Sequence, residues 1–197
     1  MALIYLIRHP HTQINLETPA SSWGLSEIGQ AQTAALLNAP FWPHISAVYP
    51  SREPKAVTAA KEAALRYNIP VVPRSAFGEL DRSAYTAPDE HSYEAAVAAC
   101  FANPAESPHG WEPAAAALHR FKREMAQVLS WHPSEESIAV ISHGLVLTLY
   151  LAHLRGQLPT LSAWRAVGFA AVAAVDRASL RPLCAFLTAP YPNLPLP

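Results

Sequence analysis

The sequence predicts an α/β fold, a three-layer α/β/α sandwich with a mainly parallel sheet and a small, mostly helical cap insert at about 84–113 in a single domain spanning 1–197. Three observations predict it. Short apolar runs alternate with helical stretches, the order that builds a parallel sheet covered by helices on both faces. The runs lack polar alternation, as strands buried on both sides do. The alternation breaks once, where Pro88, Pro104, Pro108 and Gly110 bracket a helical segment at 92–101.

Residues 2–7 form the first apolar run, closed by Arg8, His9 and Pro10. Ser26 is placed to cap a helix reaching about 38, with Ile28, Ala31, Ala35 and Leu36 on its core face and Pro40 beyond its end. Residues 45–49 read as the second strand and Ser51 opens a turn. Pro54 suits the first turn of a helix to Tyr67, since its ring fixes φ and its missing N–H is not needed there. A third strand is expected at 69–72. Beyond the insert, a helix over about 113–131 carries a core stripe of Leu118, Phe121, Met125, Val128 and Leu129. Residues 137–141 give a fourth strand, and 144–154 a helix apolar on nearly every side, therefore buried. Residues 167–175 and 182–187 flank a polar turn and are expected to pair as late strands.

Lys and Arg number 14 against 15 Asp and Glu, for a net charge of -1. No basic field is available to hold nucleic acid or an anionic membrane surface, so neither is an expected partner. The longest apolar stretch, 138–154, contains Ser142 and His143 and is shorter than the roughly 20 residues that span a bilayer. The opening segment has no basic region and too short an apolar run for a secretory signal. Cys100 and Cys184 lie far apart with no metal-ligand spacing, which argues against a disulfide framework or zinc site and suits thiols in a reducing compartment. A soluble, cytoplasmic protein is expected; the oligomeric state stays open.

Open parallel sheets bind ligands at the carboxyl ends of their strands. The reactive side chains collect there: His9 after the first strand, Ser51 to Lys55 after the second, Glu79 soon after the third and His143 after the fourth. Arg8 sets a permanent cation beside His9, which lowers the imidazole pKa below about 6.5 and leaves a nitrogen unprotonated for attack. His143 stands where a strand turns into a helix, so the amides of Gly144 and Leu145 are expected to join it in facing an anion, and phosphate fits. Glu79 is placed to give a leaving group its proton. His11 makes a His-x-His pair with His9, a weak metal signal in a chain of 197 residues, since a barrel hydrolase takes roughly 250. His44, His91, His109, His119, His132 and His153 read as structural or surface groups, Glu27 as a first-turn helix residue and Asp81 as an alternative acid.

Leu6-Ile7-Arg8-His9, followed by Thr12 and Asn15, resembles the RHGxT start of the histidine phosphatase superfamily, which includes the phosphoglycerate mutases. Residues 25–32 are similar to its LTxxGxxQA segment, Glu79 sits where it has its LxE acid, and Ile141-Ser142-His143-Gly144 is similar to its late SHG motif. In order, these motifs cover nearly the whole chain. The resemblance implies a metal-independent phosphatase without cofactor, with His9, Glu79 and His143 catalytic and Arg8, Asn15, Gly144 and either Arg52 or Lys55 on the substrate phosphate. Two departures stand out. Pro10 replaces the glycine after the nucleophile, removing a backbone donor. Lys55 stands where the second phosphate-binding arginine belongs, giving charge without a bidentate fork.

The expected function is hydrolysis of a small phosphate monoester through a phosphohistidine on His9. The alternatives are a non-catalytic protein of the same fold that binds a phosphorylated ligand, and a phosphoglycerate mutase. From Ser83 to His119 there is no Lys or Arg, while Asp89, Glu90, Glu94, Glu106 and Glu112 are present. An acidic cap would repel the second phosphate and the carboxylate that a mutase must hold, which favours hydrolysis. The expected substrate therefore has a neutral, apolar or aromatic leaving group, lying against residues such as Tyr85, Tyr93 or Trp111, provided that Arg82 does not reach in. Core packing is the default role for these aromatics and for Trp23 and Phe101.

Overall fold

A computed structural model describes residues 1–197 apart from 16, 84–86 and 88; Tyr85 lies outside the described residues. Four strands, β1 (Leu3–Arg8), β2 (Ile45–Pro50), β3 (Ser137–Ser142) and β4 (Val172–Asp176), form one sheet in the order β2-β3-β1-β4. β1 and β2 each pair parallel to β3, and β4 runs antiparallel to β1. Successive β1 residues point to opposite faces, so two cores form. Leu3, Tyr5 and Ile7 pack with α1 (Glu27–Leu36) and α2 (Pro54–Tyr67). Ile4 and Leu6 pack with α4 (Ala114–Ser130) and α5 (Gly144–Leu154) on the other face. Those five strand residues are fully buried, each contributing about 1.5–3 kcal/mol of hydrophobic stabilisation.

Helix α2 begins at Pro54 and closes on Asn68 in the left-handed conformation, and α5 is buried from Gly144 to Ala152. The late pairing forms in part: the strand starts at Val172, and residues 182–187 meet it in two isolated bridges, Val172 to Leu187 and Val175 to Pro182, with Val172 and Leu187 exchanging backbone hydrogen bonds and Leu183 N–H donating to the Ala174 carbonyl.

Two local expectations are corrected. Residues 69–72 make one parallel bridge, Val71 to Val48, because Pro70 on this segment and Pro50 on the facing strand carry no N–H with which to continue a ladder. On α1 the core face is Gly29, Thr33 and Leu36, while Ile28 is 59% exposed and Ala31 is exposed too. Ser26 does cap this helix, its Oγ accepting the Gly29 N–H at 3.1 Å.

In the expected insert, α3 (Glu90–Ala102) buries Ala96, Val97, Cys100 and Phe101 against Trp111, Leu145 and Leu149, beside Trp164 of α6 (Leu161–Arg165). Phe101 and Trp111 are thus core. Burial pushes the Cys100 thiol up to about 11, so it is held as an inert thiol. Three of the five acids of this segment are occupied structurally. Asp89 caps α3, Glu94 pairs with Arg165, and Glu112 accepts two bonds from Arg120.

Arg120 also ties down the strand-to-insert crossing, donating to the carbonyls of Ala76 at 2.7 Å, Gly78 at 2.9 Å and Glu79 at 2.8 Å. Arg120→Met is expected to cost about 2–4 kcal/mol, since three carbonyls and a carboxylate lose their donors together, and a denaturant midpoint checks it. A loss under about 1 kcal/mol would show that water replaces the guanidinium without penalty.

Candidate active site

The three parallel strands end at one edge, and their hydrogen bonding continues one residue further. His9 N–H donates to the Ser142 carbonyl and Ser51 N–H to the Ile141 carbonyl, each at 2.9 Å. Arg8, Ser51 and His143 are therefore side by side although they are far apart in sequence. The chain entering β4 joins the same edge, with Arg8 N–H donating to the Ala171 carbonyl at 2.9 Å.

His9 is 7% exposed and its Nδ1 lies 2.7 Å from the Pro10 carbonyl oxygen. A carbonyl only accepts, so Nδ1 carries the proton and Nε2 of the neutral ring holds a lone pair. Burial first, then the Arg8 and Lys55 cations, hold the His9 pKa well below its ordinary value. The expected direction stands, with desolvation as the larger cause and Arg8 the second.

His143, 1% exposed, caps the start of α5, and its ring centroid is 4.9 Å from that of His9. Its Nε2 is 2.7 Å from Ser51 Oγ and 3.1 Å from Glu53 Oε1. Burial, then the charges of His9, Lys55, Arg82 and Arg8, lower its pKa well below the ordinary value.

The Arg8 guanidinium lies 4.0 Å over the Phe169 ring and donates through one terminal nitrogen to the Val167 carbonyl. Its buried Nε has no hydrogen-bond partner among the described residues and is a donor available to an oxyanion. Gly144 permits this packing: a Cβ there would stand 3.2 Å from Trp164 Nε1 and 3.3 Å from Arg8 Cζ.

Glu79 is placed otherwise than expected. Its Oε1 accepts the N–H groups of Leu80 at 2.9 Å and Val146 at 3.0 Å, and its Oε2 accepts the Leu145 N–H at 3.0 Å. The start of α5 therefore holds this carboxylate, and the Leu145 amide faces Glu79 instead of a substrate anion. Asp81 is turned away, accepting the Ser83 N–H, and these bonds to Ser83 hold its carboxyl below the usual range.

Lys55 is 5% exposed, and its Nζ meets Glu53 Oε2 and the Ala20 carbonyl at 2.6 Å each. Arg52 is exposed. Asn15 is also exposed, its Oδ1 accepting the Glu17 N–H at 2.9 Å in a local turn. The edge thus gathers Arg8, His9, Lys55, Glu79 and His143 with Gly144, and leaves Asn15 and Arg52 outside.

Two participants, Glu53 and Phe169, escaped the sequence reading, and a third, Arg82, enters it only as a risk. Glu53 sits one residue before a helix-starting proline and reads as an ordinary turn residue. Phe169 arrives from a segment with no periodic signal. Arg82 does reach in: it acts on both histidines, lies 5.2 Å over the Tyr93 ring and donates to the Tyr93 hydroxyl. That overturns the condition on which the acidic-cap argument rested. Among the described residues, no group of three or more His, Cys, Asp or Glu side chains is arranged to hold a metal ion, and no helix is long and apolar enough to cross a membrane.

The sequence model of the histidine phosphatase superfamily (branch 1) matches residues 4–185. A search of curated protein sequences finds no significant match. Among solved structures, mycobacterial glucosyl-3-phosphoglycerate phosphatase has a TM-score of 0.74 at 19% identity, covering 92% of this chain and 96% of that one. A candidate α-ribazole-5′-P phosphatase from Escherichia coli gives 0.69 at 22%, covering 95% and 96%. Phosphoserine phosphatase from Entamoeba histolytica gives 0.68 at 15%, covering 94% and 96%. At these identities the likeness is one of fold.

Proposed function

Because this chain belongs to the histidine phosphatase superfamily, branch 1, we propose that it hydrolyses a small phosphate monoester through a phosphohistidine on His9, without metal or cofactor. The observation that carries this reading is the Pro10 carbonyl on His9 Nδ1, which leaves Nε2 as a nucleophile in a ring kept neutral by its surroundings.

In the reaction so proposed, His9 Nε2 bonds to phosphorus in line as the bond to the leaving oxygen breaks. Arg8, His143 and Lys55 hold the equatorial oxygens, where transition-state charge accumulates. Glu79 protonates the departing oxygen; its Oε2, held by a single N–H, is the oxygen best placed to carry that proton. Water then attacks phosphorus and gives a proton to the Glu79 carboxylate, the P–N bond breaks with its electron pair returning to Nε2, and His9 and Glu79 are back in their starting forms. A small monoester as substrate rests on the names of the structural neighbours, which act on compounds of that class. Hydrolysis in preference to mutase chemistry rests on them as well, since Glu94 and Glu112 are paired with arginines and Arg82 supplies a cation, so that the acidity of residues 83–119 no longer decides between the two. The test is turnover of an aryl phosphate with excess chelator: steady activity is expected, and complete loss would overturn the metal-independent mechanism.

Lys55 is the second phosphate ligand in this reading. Lys55→Ala is expected to lower kcat/KM by about 10- to 100-fold, Lys55→Arg to hold or raise it, and Arg52→Ala to leave it within about twofold. Loss of turnover in Arg52→Ala with none in Lys55→Ala would transfer the role to Arg52.

A further inference from the structure

Glu53 has no role in the scheme above, yet its carboxylate is inside the site. Oε2 is 2.6 Å from Lys55 Nζ, while Oε1 is 3.1 Å from His143 Nε2 and accepts the Glu79 N–H, also at 3.1 Å. The side chain is 14% exposed, so these contacts are made largely away from water. Lys55 and His143 are two of the three groups assigned to the equatorial oxygens of the substrate. A carboxylate and a phosphoryl group present the same chemistry to them, namely anionic oxygens that accept hydrogen bonds.

We propose that Glu53 is an internal competitor for the phosphate position, occupying Lys55 and His143 when no oxyanion is bound and withdrawing when one binds. The inference rests on the phosphatase reading and deepens it. The surroundings support it. Lys55 approaches Glu53 from α2, His143 from the end of β3 and the Glu79 amide from the crossing into the insert, while Arg8 and Arg82 add their charges around the two histidines and the Glu79 carboxylate faces Arg8. If the Glu53 carboxylate stays in place, a bound dianion lies against a like charge at contact distance, which is unfavourable in a buried site. Displacement removes the clash and frees both ligands. The consequence is selective. A substrate with further contacts through its leaving group offsets the displacement, whereas free phosphate has nothing else to offer and is expelled as Glu53 returns to Lys55 and His143. Glu53 thereby weakens product inhibition.

The experiment is calorimetric titration of inorganic phosphate and, separately, of sulfate into the wild-type protein, Glu53→Gln and Glu53→Ala at fixed ionic strength. Glutamine keeps the shape and removes the charge; alanine removes the contacts as well. Both variants are expected to bind both anions at least about tenfold more tightly than wild type, equivalent to about 1.4 kcal/mol. A residue that merely positioned Lys55 would move affinity the other way, so equal or weaker binding by the variants overturns the proposal. Tighter binding by glutamine with weaker binding by alanine overturns it too, because the new amide donor would then be the cause. If none of the three proteins binds either anion, the phosphatase reading itself fails; binding by all three with equal affinity removes only the role of Glu53.

Discussion

His9→Ala is expected to lower kcat on an aryl phosphate by about 10⁴-fold or more, with no labelled phosphoenzyme recovered from a rapid quench. The wild-type protein is expected to give an acid-labile, base-stable adduct, as a phosphorus–nitrogen bond does. The size of the effect follows from the site. Arg8, Lys55 and His143 are expected still to bind the phosphoryl group in the variant, but the imidazole with its Nδ1 held by a carbonyl and its Nε2 left to attack is gone. His143 is no substitute, because its Nε2 faces the Glu53 carboxylate, which only accepts, and therefore carries a proton where a nucleophile needs a lone pair. Phosphate binding is expected to survive in His9→Ala, which separates loss of chemistry from loss of fold. Full activity in this variant would overturn the phosphohistidine mechanism, and a wild-type protein that binds phosphate without turnover would make the chain a binding protein of the same fold.

Gly29→Ala is expected to destabilise the protein by about 2–3 kcal/mol and to reduce kcat/KM by about 100-fold. In an open helix the same change stabilises by up to about 1 kcal/mol, so the sign is diagnostic. A Cβ on Gly29 would stand 2.0 Å from the His11 carbonyl oxygen and 3.0 Å from its carbon, and the obstacle is backbone. That backbone is stitched to α1 at three points: Ser26 N–H donates to the His11 carbonyl at 3.2 Å, His11 N–H donates to Gln32 Oε1 at 2.7 Å, and His11 Nδ1 meets Ser26 Oγ at 2.8 Å. Making room for a methyl group moves the loop that begins at His9 and Pro10, and with it the carbonyl that sets the His9 tautomer. Unfolding in denaturant and steady-state kinetics on the same preparation test both effects. Unchanged or increased stability would show that α1 shifts away from the loop at no cost.

The elements were legible where one segment's own pattern decides its fate. Five consecutive apolar residues in β1, a proline opening α2 and an all-apolar α5 each specify burial locally, and parallel pairing then brings His9 and His143 to one edge. Arg8 and Lys55 follow because they adjoin those strand ends. The sequence by itself thus determined the fold class, the edge that carries the candidate site and most of the candidate residues gathered there. What only the tertiary structure decided were choices between segments remote in sequence. The core face of α1 is set by the approach of the His11 backbone to Gly29, a contact that outweighs the hydrophobicity of Ile28. Glu79 is claimed by amides 66 and 67 residues away, and the Glu53 carboxylate is held between Lys55 and His143. That Arg82 acts on the histidines, and that Lys55 is buried while Arg52 is exposed, follow from which side chain packing turns inward. Periodicity records how often a residue leaves water; it carries no information about which buried charge meets which, because that depends on distances fixed only when the layers close.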